Sequence, residues 1–450
     1  MATGVLRVPG AKHWHRVRAA SHRLSWGIAD QGMSTLTNFL LSAIVARTLG
    51  AREFGAFSLA YVTYGFALNA SRALSAEPIM IRFTGTELPV WRRAAASSTG
   101  TGLMVGVAAG ICALAAAPLA GGATGQAFLA LGLTLPGLLL QDSWRYAFFA
   151  LGKGQHAFLN DTIWAVVQIP LLFALIWTHH ATVFWFVFAW GAAASVGAVV
   201  GAFQAWVIPN VLSAGEWLVR HRDLGPRYLV ENTGSNSSDM VRSYGVNSIL
   251  GLVAVGDIQA ANVLIGPFKI VLFGISITAI PEGARLLRNS PRRLPLFCAA
   301  VSLGLTLLAL AWAVMLLVAL PHGLGHLVIG SIWRPAYPLV LPSALSVMAG
   351  CIGIGPSLGL HALGASRRSM RFGIVTAAIV IVCALTGAVA AGAAGSLYFA
   401  AAGSWFCSLL YWRVLRQALL DTDQVEVPAW MWPPAASRRT RKPAAANAEP

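Results

Sequence analysis

Four side chains that hydrogen-bond well, Gln31, Thr35, Asn38 and Ser42, stand at i, i+4, i+7 and i+11 of one apolar stretch, with Asp30, Ser34 and Thr37 beside them. Residues three or four apart share a helix face, so this spacing draws a polar stripe along an otherwise hydrocarbon-compatible helix. A second stripe, within YLVENTGSNSSDMVRSYGVNSILGLVAVG, holds Asn236, Ser237, Asp239, Arg242, Ser243, Asn247 and Ser248. Amides and hydroxyls so placed either bond neighbouring helices together or line a wet cavity. The ionisable groups favour the cavity: each costs about 2.5–3.5 kcal/mol at the centre of a membrane helix, and such groups face interior paths rather than lipid.

The other embedded ionisable residues are Arg72, Glu77, Asp142, Asp161, Lys269 and Glu282. Arg72, Arg242 and Lys269 are candidates for holding an anionic head group, because a fixed cation in a low-dielectric cavity attracts phosphate strongly. Asp30 and Glu77 are candidates for coupling to an ion. Asp142 with Arg145, and Asp239 with Arg242, stand three apart, a spacing that also fits an ion pair within one helix. The expected cavity set is therefore Asp30, Gln31, Asn38, Arg72, Asn236, Asp239, Arg242 and Lys269. No catalytic residue, metal ligand or cofactor is expected.

The elements that position these groups follow from composition. The chain has 450 residues, 57% hydrophobic and 11% charged, with mean hydropathy +0.67; soluble domains carry about 25% charged residues. Apolar stretches near the roughly 20 residues that cross a bilayer recur along its length, and they are too continuous for outer-membrane barrel strands. The expected fold is an all-α integral membrane protein of twelve spans, near 24–46, 54–76, 95–118, 124–148, 157–178, 182–207, 230–254, 257–284, 295–320, 337–362, 372–393 and 396–412. A net charge of +16 is compatible with nucleic acid binding, but the positions of the charges exclude it. With the amino terminus inside, most Arg and Lys fall in cytoplasmic segments, and the outer loops hold only Arg47, Arg52 and Arg334. That is the positive-inside pattern, and it predicts a plasma-membrane protein with both termini cytoplasmic.

Domain organisation reads as a basic flank over 1–23, a six-helix bundle over 24–207, a cytoplasmic linker over 208–229, a second bundle over 230–416 and a basic tail over 417–450. The flank resembles that of a retained signal anchor, and the Pro- and Ala-rich tail has too little apolar surface to fold. A shift of 206 places Gly50 on Gly256, Glu53 on Gln259, Gly55 on Ala261, Asp30 on Asn236, Gln31 on Ser237 and Ser42 on Ser248. Six spans separate the copies, so the bundles are expected to be parallel and related by an axis along the membrane normal. Pro136, Pro170, Pro267, Pro281, Pro342 and Pro356 interrupt spans and are either hinges or static kinks. The five cysteines carry no CxxC pair, and HGLGH, with His322 and His326, lacks an acidic partner for a metal site. SVGAVVGAF reads as helix packing, and FWFVFAW at 184–190 as lipid-facing surface.

ADQGMSTLTNFLLSAIVARTLGAREFGAFSLAY followed by SRALSAEPIMIR resembles the amino-terminal region of the polysaccharide-biosynthesis branch of the multidrug/oligosaccharidyl-lipid/polysaccharide flippase superfamily. The shared feature is a polar first helix, then Ala46, Arg47, Leu49, Gly50, Phe54 and Gly55, then an aromatic second helix. The resemblance implies two bundles around a central cavity that opens alternately to each side. It also implies a polyprenyl-diphosphate-linked glycan moved from the inner to the outer leaflet for envelope assembly, with envelope glycosyltransferases or a polymerase as partners. Some members have fourteen helices; the two extra spans are absent here.

Three function classes fit to different degrees. A flippase for lipid-linked oligosaccharide needs a hydrophilic, partly cationic groove, which the two stripes and Arg72, Arg242 and Lys269 supply. A multidrug or cation antiporter of the same fold would rest on acidic groups, with Asp30 as its proton or sodium site. An integral-membrane glycosyltransferase or polymerase would need an acidic pair or a large outer loop; the first outer loop offers only Arg52 and Glu53 in a tight turn. A transporter rather than an enzyme is the expectation.

Overall fold

The computed structural model describes residues 10–421; the side chains of 10–24, most of 226–238, several between 269 and 284, and 366 lie outside the description. Helices follow one another with short turns: α1 (Gly10–Thr48), α2 (Ala51–Ser71), α3 (Leu88–Ala120), α4 (Gly122–Ala150), α5 (Gly154–Trp177) and α6 (Val183–Ala205). A linker with a short helix, Ala214–Arg220, leads to α7 (Gly225–Leu250), α8 (Leu252–Asn289), α9 (Leu294–Ala319) and α10 (Trp333–Ala362). The final helical stretch, Ser366–Leu420, breaks at Ala391 and Gly392, where Gly392 takes φ 66, into α11 (366–390) and α12 (393–420). This is an all-α membrane protein built as a two-lobe bundle. The stretches long and apolar enough to cross a membrane are α3 to α6 and the segments holding α9 to α12. The striped helices α1 and α7, and α2 and α8 that pack beside them, are the less apolar ones.

Packing repeats from one lobe to the other. In the first lobe α2 and α3 lie on α4, α4 and α5 on α6, and α1 on α5; in the second α8 and α9 lie on α10, α10 and α11 on α12, and α7 on the stretch holding α11. The lobes meet where α2 contacts α7 and α8, and where α1 contacts α8. That exchange of contacts is what a two-fold relation requires. The helix starts set the register: α2 begins after Gly50 and α8 after Gly251, a shift of 201. The shift of 206 is therefore corrected. At 201, Asp30 matches Glu231, Gln31 matches Asn232, Asn38 matches Asp239, and Ser34, Ser42, Val45, Leu49, Gly50, Gly55, Ala60, Val62 and Gly65 fall on identical residues. A shift of 206 would match Gly50, at a helix start, to Gly256, inside a helix.

Small residues let the helices approach, as membrane packing requires. A Cβ on Gly106 would stand 2.8 Å from the Pro136 Cα, and one on Gly110 2.6 Å from the Gly132 carbonyl oxygen. Gly197 and Gly201 of α6 seat against Gln141 and Trp144 of α4, so the SVGAVVGAF glycines do serve packing. FWFVFAW is not a lipid-facing belt: Phe186 and Trp190 are buried in the core, and Trp185 is the residue turned outward. Trp190 packs edge-on to Tyr64, with ring centroids 4.8 Å apart, and that contact draws its side of α6 inward.

Proline positions have local explanations. Pro78 has no N–H for the Leu74 carbonyl, and that carbonyl instead accepts from the Trp217 indole at 3.1 Å. The helix widens into a π turn over Arg72–Ala76 just before it. Pro356 likewise frees the Ile352 carbonyl, which accepts from Ser302 Oγ at 2.9 Å and Trp412 Nε1 at 3.2 Å. Each freed acceptor is satisfied by another element, as a non-aqueous interior demands.

Candidate functional site

A cavity of about 430 Å³ lies between the lobes. The stripe of α1 reaches it through Thr35, Asn38 and Ser42, and the stripe of α7 through Asp239, Arg242 and Ser243. Ser58 and Tyr61 of α2, Gln259 and Asn262 of α8, Ser343 and Ser346 of α10 and Ser396 of α12 complete the polar wall. Hydroxyls and amides make up most of this polar part, and Phe39, Val62, Val246, Ile258 and Val347 are among the residues that give the cavity its larger apolar surface. Asp239 and Arg242 are its charged groups among the described residues, joined at 2.9 Å, so the i, i+3 pair expected on that helix forms. Arg242 stays a quarter exposed and keeps donors for a ligand.

The floor of the first lobe holds a different site, and here the expectations change. Arg72 does not reach the cavity wall. It donates from Nε to Asp142 Oδ2 at 2.9 Å and from Nη2 to Asp142 Oδ1 at 2.7 Å, with its guanidinium 5.3 Å from the Tyr146 ring centroid. Asp30 and Gln31 also leave the cavity: Arg145 Nε donates to Asp30 Oδ2 at 2.6 Å, and its Nη2 donates to Gln31 Oε1 at 3.1 Å. The expected Asp142–Arg145 pair within one helix is therefore replaced by two pairs between helices. The reason is geometric: the π turn that continues α2 packs on α4 and brings Arg72 to Asp142, while α1, packed on α5, holds Asp30 within reach of the long Arg145 side chain.

Asp161 stands 3.7 Å from Arg145 Nε and accepts from Gln141 Nε2 at 2.7 Å. Gln141 also donates to Asn160 Oδ1 at 3.1 Å, and Asn160 donates to the Gly197 carbonyl at 2.8 Å. Three carboxylates therefore face two guanidiniums. Asp30 Oδ1 and both polar atoms of Gln168 are buried with no hydrogen-bond partner among the described residues. The two oxygens call for a water, a proton or a cation, and the amide nitrogen for an acceptor. Sequence reasoning named Asp30, Asp142 and Asp161 but missed Gln141, Asn160 and Gln168, which are amides inside apolar helices and could have been found by that signal.

Of the remaining expected residues, Asn38, Asp239 and Arg242 line the cavity together. Glu77 opens the short helix Glu77–Arg82 below the π turn, away from the cavity wall. The side chains of Asn236 and Lys269 lie outside the described residues.

At the end where α1 turns into α2, the lobes are sealed. A Cβ on Gly55 would collide with the Leu252 carbonyl, and one on Gly256 with the Ala51 carbonyl. Arg47 Nη1 donates to the Leu327 carbonyl at 2.8 Å, and Gly330, at φ 64, lies against the Arg47 backbone. Deeper in, Tyr244 of α7 and Thr63 of α2 share a hydrogen bond of 2.6 Å.

No protein-family model and no curated protein matches the chain. Solved structures do. An inward-facing multidrug resistance MATE family transporter of the MOP superfamily has 15% identity and a TM-score of 0.70, covering 86% of this chain and 96% of that one. The lipid II flippase MurJ, in an inward closed conformation, has 12% identity and a TM-score of 0.64, covering 90% and 88%. A MATE in the straight conformation has 13% identity and a TM-score of 0.58, covering 89% and 95%. At these identities the likeness concerns architecture, and nearly the whole chain shares it. Over nearly its whole length, this chain shares the fold of these solved transporter structures.

Proposed function

We propose that this chain is an alternating-access transporter that moves a polyprenyl-diphosphate-linked oligosaccharide from the inner to the outer leaflet of the plasma membrane for envelope polysaccharide assembly. The observation that carries this reading is the chemistry of the inter-lobe wall. Eleven of its residues, Thr35, Asn38, Ser42, Ser58, Tyr61, Ser243, Gln259, Asn262, Ser343, Ser346 and Ser396, are neutral hydrogen-bonding groups of the kind that pair with sugar hydroxyls. Arg242 adds one cation for a phosphate oxygen. A lipid diphosphate must cross about 30 Å of hydrocarbon, while its polyprenyl tail can stay in the bilayer. The fold shared with a lipid II flippase supports the same reading. The N-lobe network is the natural place for coupling: loading a proton or cation beside Asp30 would alter its pull on Arg145.

A second reading, a cation-drug antiporter, is favoured by the three carboxylates of that network and by the fold shared with MATE transporters. Protein in liposomes, offered fluorescent polyprenyl-diphosphate sugars and, separately, organic cations, separates the two. The flippase reading expects translocation of the glycan lipid, reduced at least tenfold in Arg242→Gln. Robust cation export with no glycan movement across several sugars would replace it with the antiporter.

A further inference from the structure

We propose that the first lobe carries, on the face richest in Arg and Lys, a binding site for the phosphate head group of an anionic phospholipid, separate from the central cavity. A second cavity, of about 260 Å³, lies where the first turn of α3, the end of α4, the α4–α5 turn and the end of α6 converge. Arg92, Lys153 and His156 line it, and among the described residues no carboxylate does. At its back stands Gln204, whose Oε1 accepts from Asn160 Nδ2 at 3.2 Å while its Nε2 is buried with no partner among the described residues. A buried donor without an acceptor is costly, and an anionic oxygen entering the cavity would satisfy it. The wall residue Trp91 is already committed, its indole donating to the Ala147 carbonyl at 2.9 Å.

The neighbouring segment supplies the hydrocarbon half of a lipid site. Trp206 ends α6 in the left-handed region, φ 52, which turns the chain and leaves the residue 81% exposed at the cavity mouth. Ile208 and Leu212 follow at 85% and 97% exposure. They are not on a loose loop. The Asn210 N–H donates to the Ala96 carbonyl at 2.8 Å and Ser213 Oγ donates to Ser97 Oγ at 2.9 Å, so the segment is strapped to α3 with these side chains held outward. Large apolar groups held outward beside two cations match the boundary between acyl chains and head groups, and basic pockets between helices at that depth bind anionic head groups.

The test uses the full chain in neutral detergent, titrated calorimetrically with dioctanoyl phosphatidylglycerol, dioctanoyl phosphatidylcholine, inorganic phosphate and a short polyprenyl diphosphate. Saturable phosphatidylglycerol binding is expected, weakened at least tenfold in the double variant Arg92→Gln/Lys153→Gln and unchanged in Arg242→Gln. Both altered side chains are exposed, and an unchanged melting temperature checks that the variant folds. Phosphatidylcholine and inorganic phosphate should bind at least tenfold more weakly than phosphatidylglycerol. Equal binding of phosphatidylcholine, or wild-type affinity in the double variant, would overturn the site. Inorganic phosphate binding as tightly would make it a soluble-anion site, and binding of the polyprenyl diphosphate without phosphatidylglycerol would make it a dock for the carrier lipid. Either result would overturn the phospholipid assignment.

Discussion

Arg72 and Asp142 show how a buried charge decides its own fate. The Asp142 side chain is 7% exposed and meets the guanidinium through two bonds. Removing one partner of such a pair leaves an uncompensated charge, a loss of about 3–5 kcal/mol, whereas replacing both with apolar groups is often neutral. Asp142→Ala is therefore expected to lower the unfolding free energy by about that amount, and Arg72→Leu/Asp142→Leu to recover most of it; thermal unfolding in detergent measures both. If the single variant melted like the wild type, the pair would not be holding α2 to α4. The residues of this network were legible in the sequence as charges out of place, but their partners were not. Spacing along a chain reveals neighbours on one helix, so it offered Asp142 to Arg145. The actual partners lie 70 and 115 positions away and depend on which helices flank α4.

Among elements, the tightest constraint is the crossing of α2 and α8. Gly55 and Gly256 each face the other helix's backbone, so a single added methyl has nowhere to go without separating the lobes. Gly55→Ala and Gly256→Ala are expected to loosen the seal between α1 and the short helix Gly325–Ile329. Spin labels at Arg52 and Leu327 should then report a longer distance than in the unmodified chain; an unchanged distance would mean that the seam is not a gate. The linker helix offers a pH test. His221 is packed on Trp217, ring centroids 4.1 Å apart, with Nδ1 2.8 Å from the Trp217 carbonyl. Burial pushes its imidazole below the usual range, and nearby Arg82 and Arg220 add to that. A base with a lowered pKa in the fold stabilises the fold above its ordinary value of about 6.5 and loses that contribution as pH falls. Intrinsic-rate-corrected hydrogen exchange of Ala214–Arg220 should therefore quicken below pH 6 in the wild type but not in His221→Gln. Helix positions were readable from apolar runs, and each of the twelve expected spans corresponds to one long helix. The repeat was readable as well, but its register required the helix starts, since tight turns anchor it more firmly than scattered identical letters.

At the scale of the whole molecule, the two lobes gather hydroxyls, amides and one ion pair at their seam. The stripes were readable because lipid excludes such groups, yet only part of each stripe reaches the cavity. Asp30 and Gln31, on the same face as Asn38 but two turns earlier, are claimed by Arg145 within the first lobe. Distance along the helix, not the face alone, divides these polar groups between the cavity wall and the first-lobe network. The most direct measurement of this division is thiol labelling in a cysteine-free background, with single cysteines at Asn38, Ser243 and Ser346. A membrane-impermeant reagent applied from the basic face should modify all three, and a polyprenyl-diphosphate glycan should protect them. Failure of the reagent to reach any of the three positions would show that the stripes meet in dry contact, and the account of a wet passage between the lobes would be wrong.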